Sequence, residues 1–377
     1  MIISGACAAF ASIAMLTLMV RHARHFTKPK EQANILRICA FIPIYAIGTL
    51  IEVCAPAAYV YLHPWLEVAQ AFAMAAFFIL LCRLLASEVD ELQDVFLAPL
   101  RIIQKNTGHS TTKLVAAYRR TWIFVFQYPI VSIMVAIFTA ITESAGVYCH
   151  GGRKPYFASL WLDILSIASM GLAVVAVLKT YVKLKVELRP HRAMPKFLAF
   201  KLLIGLQFLQ QIVYTILRRV SPSPLEPNAT LSYTDLEIGI PLLLTSCELV
   251  IFSVFFHFAY SVTPYRVNSP SHEVPSFRDD REHVGGTAYR QGGVLGCQAW
   301  IAMCNPKEFL AAVKFVFSMH SALLKSDLHA EQSRPLNLRL YAQTTQYPPK
   351  HHNSSDLSDA SYYEHVQPQY SMSYRNS

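Results

Sequence analysis

Gln207, Gln210, Gln211 and Tyr214 stand at i, i+3, i+4 and i+7 within an apolar stretch, residues 196–214. That spacing places all four on one face of a helix. A soluble core helix has little use for three amides on its buried stripe. In lipid, amides find partners on neighbouring helices or line a wet path. Both readings stand: interhelix hydrogen bonds, or the wall of a path. A second apolar run, residues 238–260, carries one mid-span acid, Glu248. At about 1.5 Å of rise per residue in a core of about 30 Å, the amides and Glu248 all fall near mid-depth. A carboxylate there costs at least a few kcal/mol unless it is paired, solvated or protonated. Glu248 is therefore read in two ways, as a protonated acid bonded to an amide for packing, or as a lining group of a solute or proton path.

Glu52, Glu67 and Asp163 fall in the outer third of their own runs. They read either as an outward vestibule or as solvated interface residues. Tyr45, Thr49 and Glu52 share a helical face. His257 reads as a structural hydrogen-bonding group or a proton relay. None of this is a catalytic set. The chain lacks a G-x-S-x-G elbow, a phosphate loop, C-x-x-C and H-E-x-x-H. Its eight cysteines show no metal spacing. We therefore expect no enzyme activity, no metal and no cofactor. Cys7, Cys39, Cys54, Cys82 and Cys247 read as reduced, buried thiols within spans.

The elements that must position these groups are membrane helices. The chain is 53% hydrophobic and 15% charged, against about 25% charged in soluble domains. Its apolar residues cluster in runs of roughly 20, as a bilayer demands. The net charge of +9 sits mostly in short connections between runs, which is topology rather than a nucleic-acid face. The sequence predicts an all-α, seven-transmembrane bundle with spans at about 2–20, 35–56, 65–86, 121–142, 157–182, 196–217 and 236–260. Arg21, Arg24, Lys28 and Lys30 follow the first span, and Lys183, Lys185 and Arg189 follow the fifth. The positive-inside bias then sets the N-terminus outside and the tail in the cytoplasm. Pro43, Pro129 and Pro241 are kink sites, and residues 57–63 form a short chargeless connection. Acids at the start of the 87–120 loop read as a solvated helix face. Asn228-Ala229-Thr230 is a glycosylation sequon in a loop placed outside by the same count.

The membrane domain is expected over 1–266 and a cytoplasmic tail over 267–377. Pro306 opens a stretch, about 306–325, with Phe309, Val313, Val316, Phe317, His320 and Leu324 on one side. It reads as an in-plane or partner-docking amphipathic helix. Cys297 and Cys304 flank Trp300 and Ile301, a pattern open to palmitoylation. From about 331 the composition predicts disorder.

Several blocks resemble one family. His25-Phe26-Thr27-Lys28-Pro29-Lys30-Glu31-Gln32, then Leu36-Arg37-Ile38 and Pro43-Ile44-Tyr45, resemble the first block of the organic solute transporter alpha family, also called the transmembrane protein 184 group. Glu187-Leu188-Arg189-Pro190, with Lys196-Phe197-Leu198 and Lys201, resembles its second. Gln210 resembles the amide closing that block, and Cys247-Glu248 the cysteine and glutamate of its last span. The register holds over residues 1–266. Leu209 replaces the usual Trp before the span 6 glutamine, and Leu66-Glu67-Val68 stands for Tyr-Glu-Ala. The resemblance implies facilitated diffusion of amphipathic organic solutes, steroid-derived organic anions in animal members, with a small single-span subunit as partner. A homodimer is the other arrangement considered. Other members are linked to vacuolar or endosomal membranes, which leaves a non-transporting seven-span receptor or scaffold as the alternative. The partners expected are thus the lipid bilayer and an organic solute, with no nucleic acid.

Overall fold

The computed structural model describes residues 1–86, 89, 91–107, 111–149, 156–189, 193–219, 232, 235–266 and 296–332. Among these, all regular structure is helical. Six helices are long and apolar enough to cross a bilayer: α1 (Ile2–Arg24), α2 (Pro29–Cys54), α3 (Tyr59–Leu85), α5 (Thr111–Ser144), α6 (Ala158–Leu188) and α8 (Ile240–Ala259). Between them lie α4 (Leu92–Thr107) and α7 (Ala193–Arg219). The apolar part of α7, Leu202–Leu217, is about 24 Å long against a core of about 30 Å. Its amides interrupt the hydropathy that the other six keep.

Why the helices begin and end where they do is largely local. Pro29 opens α2, where its missing N–H costs nothing. Gln32 reaches back from the first turn, its Oε1 accepting the Thr27 and Lys28 N–H groups at 2.8 and 2.9 Å. Arg21 and Arg24 sit in the last turn of α1, where positive charge suits the helix dipole. The third span begins earlier than the sequence predicts. Pro56 starts a 3-10 turn that runs into α3 at Tyr59, so residues 57–63 are mostly helix. Pro241 is likewise no mid-helix kink. It lies in the first turn of α8, after a π turn over Asp235–Gly239.

Large apolar side chains face outward on the spans, among them Phe10 and Ile13 on α1, Phe138 and Ile141 on α5, Trp161 on α6, and Ile251 and Phe258 on α8. Such a belt fits lipid rather than water. Cys247 and Cys54 are exposed and Cys7 is half-buried, which corrects the buried-thiol expectation; Cys39 and Cys82 are buried.

At one end of the bundle, called here the basic end, the first family-like block closes a clasp. His22 Nε2 donates to the Tyr260 carbonyl at 2.8 Å, tying α1 to the end of α8. Gln32 Nε2 donates to the His25 carbonyl at 2.8 Å. Tyr265 bonds twice across the chain, once to Thr27 and once to Glu31. The Thr27 hydroxyl donates to the Tyr265 carbonyl at 3.1 Å, and the Tyr265 hydroxyl donates to Glu31 at 3.1 Å. Lys196, at the start of α7, is buried beside this clasp with its Nζ 5.8 Å from the Tyr265 ring centroid.

Helix α4 and the segment after Gly296 pack on the same end. Val95, Phe96, Leu97 and Leu100 bury one face of α4. Helices α9 (Cys297–Cys304) and α10 (Lys307–Gln332) follow. The compact unit runs Met1–Leu324 and so takes in α9 and most of α10. Gly296 has φ +78° and lies so close to α1 that a Cβ would stand 2.8 Å from the Ala23 carbonyl oxygen. Arg37 donates to the carbonyls of Ala302, Met303 and Asn305 at 3.0, 2.9 and 2.7 Å, closing the end of α9. Glu308 joins Arg83 at 2.8 Å and Arg37 at 3.2 Å. Phe309 and Phe315 then stack among Phe96, Trp122 and Phe126. Here α10 differs from the sequence reading. Ala312, Phe315, Val316 and Met319 are its buried face, while Phe317 is 80% exposed.

Candidate functional site

Toward the opposite end, α7 turns its amides into the bundle, against α3, α6 and α8. Gln211 Nε2 donates to Glu67 Oε1 at 2.7 Å. Ser166 Oγ donates to the other oxygen, Glu67 Oε2, at 2.8 Å. Gln210 donates its amide N–H to Glu248 and accepts from Thr245 Oγ1 at 3.3 Å. The wet face of α7 thus meets acids on two neighbours. Gln210 and Gln211 are consecutive, about 100° apart around the helix, so one reaches α8 and the other α3.

Gln207 is different. It is 7% exposed, and neither its amide nitrogen nor its amide oxygen has a hydrogen-bonding partner. A buried amide without partners costs about 1–3 kcal/mol. It faces a cavity of about 120 Å³ whose walls also carry Gln210, Gln211, Tyr214, Glu67, Asp163, His63 and Tyr45. That space has room for several water molecules. The wall comes from α2, α3, α5, α6, α7 and α8, so the site exists only when those helices assemble.

The candidate residues separate into three groups. Gln207, Gln210, Gln211, Tyr214, Glu67 and Asp163 line the cavity. Glu248 stands off the wall, behind Gln210. Glu52 has no solvent exposure and lies 3.3 Å from His63 Nδ1, so it is no solvated interface residue. His257, in the last turn of α8, donates from Nε2 to the Ala14 carbonyl at 2.7 Å, a structural contact to α1.

Sequence reasoning missed His63 and Tyr59. His63 stacks on Tyr59 with ring centroids 4.7 Å apart and meets Tyr45 edge-on at 6.3 Å. The signal was present. A helix begun at Tyr59 carries Tyr59, His63, Glu67 and Gln70 along one face, but residues 57–63 read as a connection.

The family-like residues divide as well. His25, Pro29, Glu31, Gln32, Arg37 and Lys196 belong to the basic-end contacts. Pro43 continues α2 without ending it, Tyr45 reaches the cavity, and Cys247 faces outward. Burial and the Glu31 carboxylate beside it hold the Tyr265 hydroxyl well above the usual phenol range. Pro190 and Asn228 lie outside the described residues, as do the side chains of Phe197, Lys201, His320 and Leu324. Among the described residues no group of three or more His, Cys, Asp or Glu could hold a metal ion.

Comparison with known proteins agrees with this architecture. The family model described as "Organic solute transporter Ostalpha" matches residues 1–265. The chain is similar to "Vacuole membrane protein hfl11" of Schizosaccharomyces pombe, 27% identical over 221 residues, 56% of this chain and 51% of that protein. It is also similar to "Transmembrane protein 184 homolog" of Dictyostelium discoideum, 25% identical over 286 residues, 74% of this chain and 56% of that protein. The chain spans about half the length of these curated relatives. No solved structure matches it.

Proposed function

The chain belongs to the Organic solute transporter Ostalpha family, and from that premise we propose that it carries amphipathic organic solutes across a membrane by facilitated diffusion, through the cavity beside α7. The family is one of solute transporters, and the chain is a multi-pass membrane protein. The observation that carries the reading is Gln207. Packing alone gives no reason to keep an unpartnered amide at mid-bundle, whereas a passing solute or its water supplies the missing partners. Drug-sized ligands occupy about 300–1,000 Å³, so the walls must part around a steroid-like body.

Seven crossings, with the N-terminus outside and the tail in the cytoplasm, fit this path. Helix α7 begins beside the end of α8 and meets the start of α8 across the cavity, which supports a crossing despite its short apolar run. Asn228 would then be exposed to glycosylation outside. The resemblance also supports a small single-span subunit as partner, with a homodimer as the other arrangement.

The test is Gln207→Leu in vesicles holding the purified protein and a labelled steroid conjugate. Removing an unsatisfied amide raises Tm, by about 1–2 kcal/mol of stability, while uptake falls. Such opposite movement is the signature of a functional polar group. Unchanged uptake with a raised Tm removes the cavity from the path.

A second reading follows from one observation: the relatives' printed names give a membrane, not a cargo. Under it the chain is a receptor or scaffold acting through its tail. Deleting residues 325–377, beyond the compact unit, would then abolish the cellular phenotype while uptake stays absent throughout.

A further inference from the structure

A second space, of about 330 Å³, lies toward the basic end between α2 and α3, where the turn from α9 to α10 covers it. Phe41, Ile44, Phe72, Ala73, Ile79 and Phe309 line it. Ile44 and Phe72 are exposed, so the space opens sideways, as a groove, through the outward belt of the spans. From the ends of α2 and α3 at the basic end up to these two residues is about 20 Å at 1.5 Å per residue. The hydrocarbon of one leaflet is about 15 Å deep, so the groove runs the depth of a lipid tail.

Arg37 lines the groove but offers it no donor. Its five N–H groups go to the Ala302, Met303 and Asn305 carbonyls, to Asn34 and to Glu308. The groove itself therefore suits an apolar chain and gives no grip on a charged head. Positive charge stands just outside it. Pro306 and Phe309 line the groove, and Lys307 between them is exposed. Lys307, Leu310, Lys314 and Phe317 are all exposed and fall on one face of α10. Its opposite face, with Ala312, Phe315, Val316 and Met319, is buried against the bundle. Apolar residues set between lysines suit a helix lying in a headgroup layer, where the stems stay in hydrocarbon and the ammonium groups reach phosphate. Glu308, the acid beside them, is already held by Arg37 and Arg83.

We propose that this surface holds an anionic phospholipid of the leaflet at the basic end, with one tail in the groove between α2 and α3 and its phosphate at Lys307 and Lys314. The outward face of α10 continues the apolar belt of α2 and α3, and its lysines complement the lipid's charge. On the topology proposed above this is the cytoplasmic leaflet, the one rich in anionic lipid. The bound lipid ties α10 to α2 and α3 and so stabilises the docked segment. The groove shares no lining residue with the cavity beside α7, so this site stands or falls apart from transport.

The experiment uses the full chain, purified in detergent and stripped of lipid, in a melting assay with dioleoylphosphatidylserine, dioleoylphosphatidylcholine or inorganic phosphate. The serine lipid should raise Tm at a concentration roughly ten-fold lower than the choline lipid needs. Lys307→Gln together with Lys314→Gln should abolish that difference, and about 1 M salt should shrink it. Ala73→Leu fills the groove and should remove stabilisation by both lipids. The two lysines are exposed, so their double variant keeps the test open should Ala73→Leu not fold. Equal action of the two lipids, or a preference that survives in the double variant, overturns the proposal at the headgroup. Undiminished stabilisation of a folded Ala73→Leu overturns it at the groove. Inorganic phosphate raising Tm as far as the serine lipid overturns the lipid as the ligand.

Discussion

At the scale of single residues, the deep polar contacts make separable demands. Gln210 joins Thr245 and Glu248, and Glu248 keeps one oxygen, Oε2, without a partner. Gln210→Leu therefore leaves an acid in the bundle with nothing to bond. A loss of about 1–3 kcal/mol is expected, read as a lower Tm. Glu248→Gln keeps the shape and the acceptor for Gln210, so its Tm should stay near that of the unaltered chain. The Tyr265–Glu31 bond makes a second prediction, at the basic end. Burial raises the Tyr265 pKa above its unfolded value, so its contribution is present in full below the unfolded value of about 10. It is lost as pH rises through the folded value. Tyr265→Phe should cost about 1 kcal/mol at neutral pH. Above about pH 10 the gap in Tm between the two proteins should narrow. A constant gap would mean that the hydroxyl contributes by packing alone. Some of this residue-level chemistry was legible in the sequence. The i, i+3, i+4, i+7 amides and the lone mid-span acid identified their own helices. His63 was not, because its role depends on α3 beginning at Tyr59, and chargeless residues after a proline read equally well as a turn.

Among the elements, the six long apolar helices were legible from hydropathy, since a bilayer leaves few other uses for such runs. Docking of α9 and α10 was not. An amphipathic face can serve lipid, a partner or its own bundle, and the periodicity is the same in each case. What decides is tertiary: Arg37 closing three carbonyls of α9 and Asn305, and Glu308 shared between Arg37 and Arg83. The Arg83 side chain is only 5% exposed. Glu308→Ala would leave that cation buried and unpaired, a change that costs about 3–5 kcal/mol. The segment 297–319 should then exchange its amide hydrogens much faster, while α1 and α2 keep their protection. Arg37→Lys should act in the same direction, because an ammonium cannot reach several carbonyls in one plane as the guanidinium does. Unaltered exchange in both variants would show that the aromatic contacts of Phe309 and Phe315 suffice to hold α10.

For the whole molecule, the question is which side each end faces. The Lys and Arg of α1, the α1–α2 connection, α4 and the end of α6 gather at the basic end, whereas the cavity and Tyr148 lie toward the other. The topology proposed above, from the positive-inside bias, puts the first group in the cytoplasm. Thiols supply a direct reading, because Cys149, Cys297 and Cys304 are all exposed. Cys149 follows α5 at the cavity end, and the other two bound α9 at the basic end. With seven crossings, a membrane-impermeant maleimide added to intact cells should label Cys149 and spare Cys297 and Cys304 until the membrane is opened. Two single-thiol variants, one retaining Cys149 and one retaining Cys304, make the comparison clean. The crossing of α7 is what this experiment weighs most heavily. Helix α8 ends beside His22 of α1 and the start of α7, so α8 returns to the basic end only if α7 has left it. Labelling of Cys304 from outside would break that chain of contacts and, with it, the placement of the amides at mid-depth.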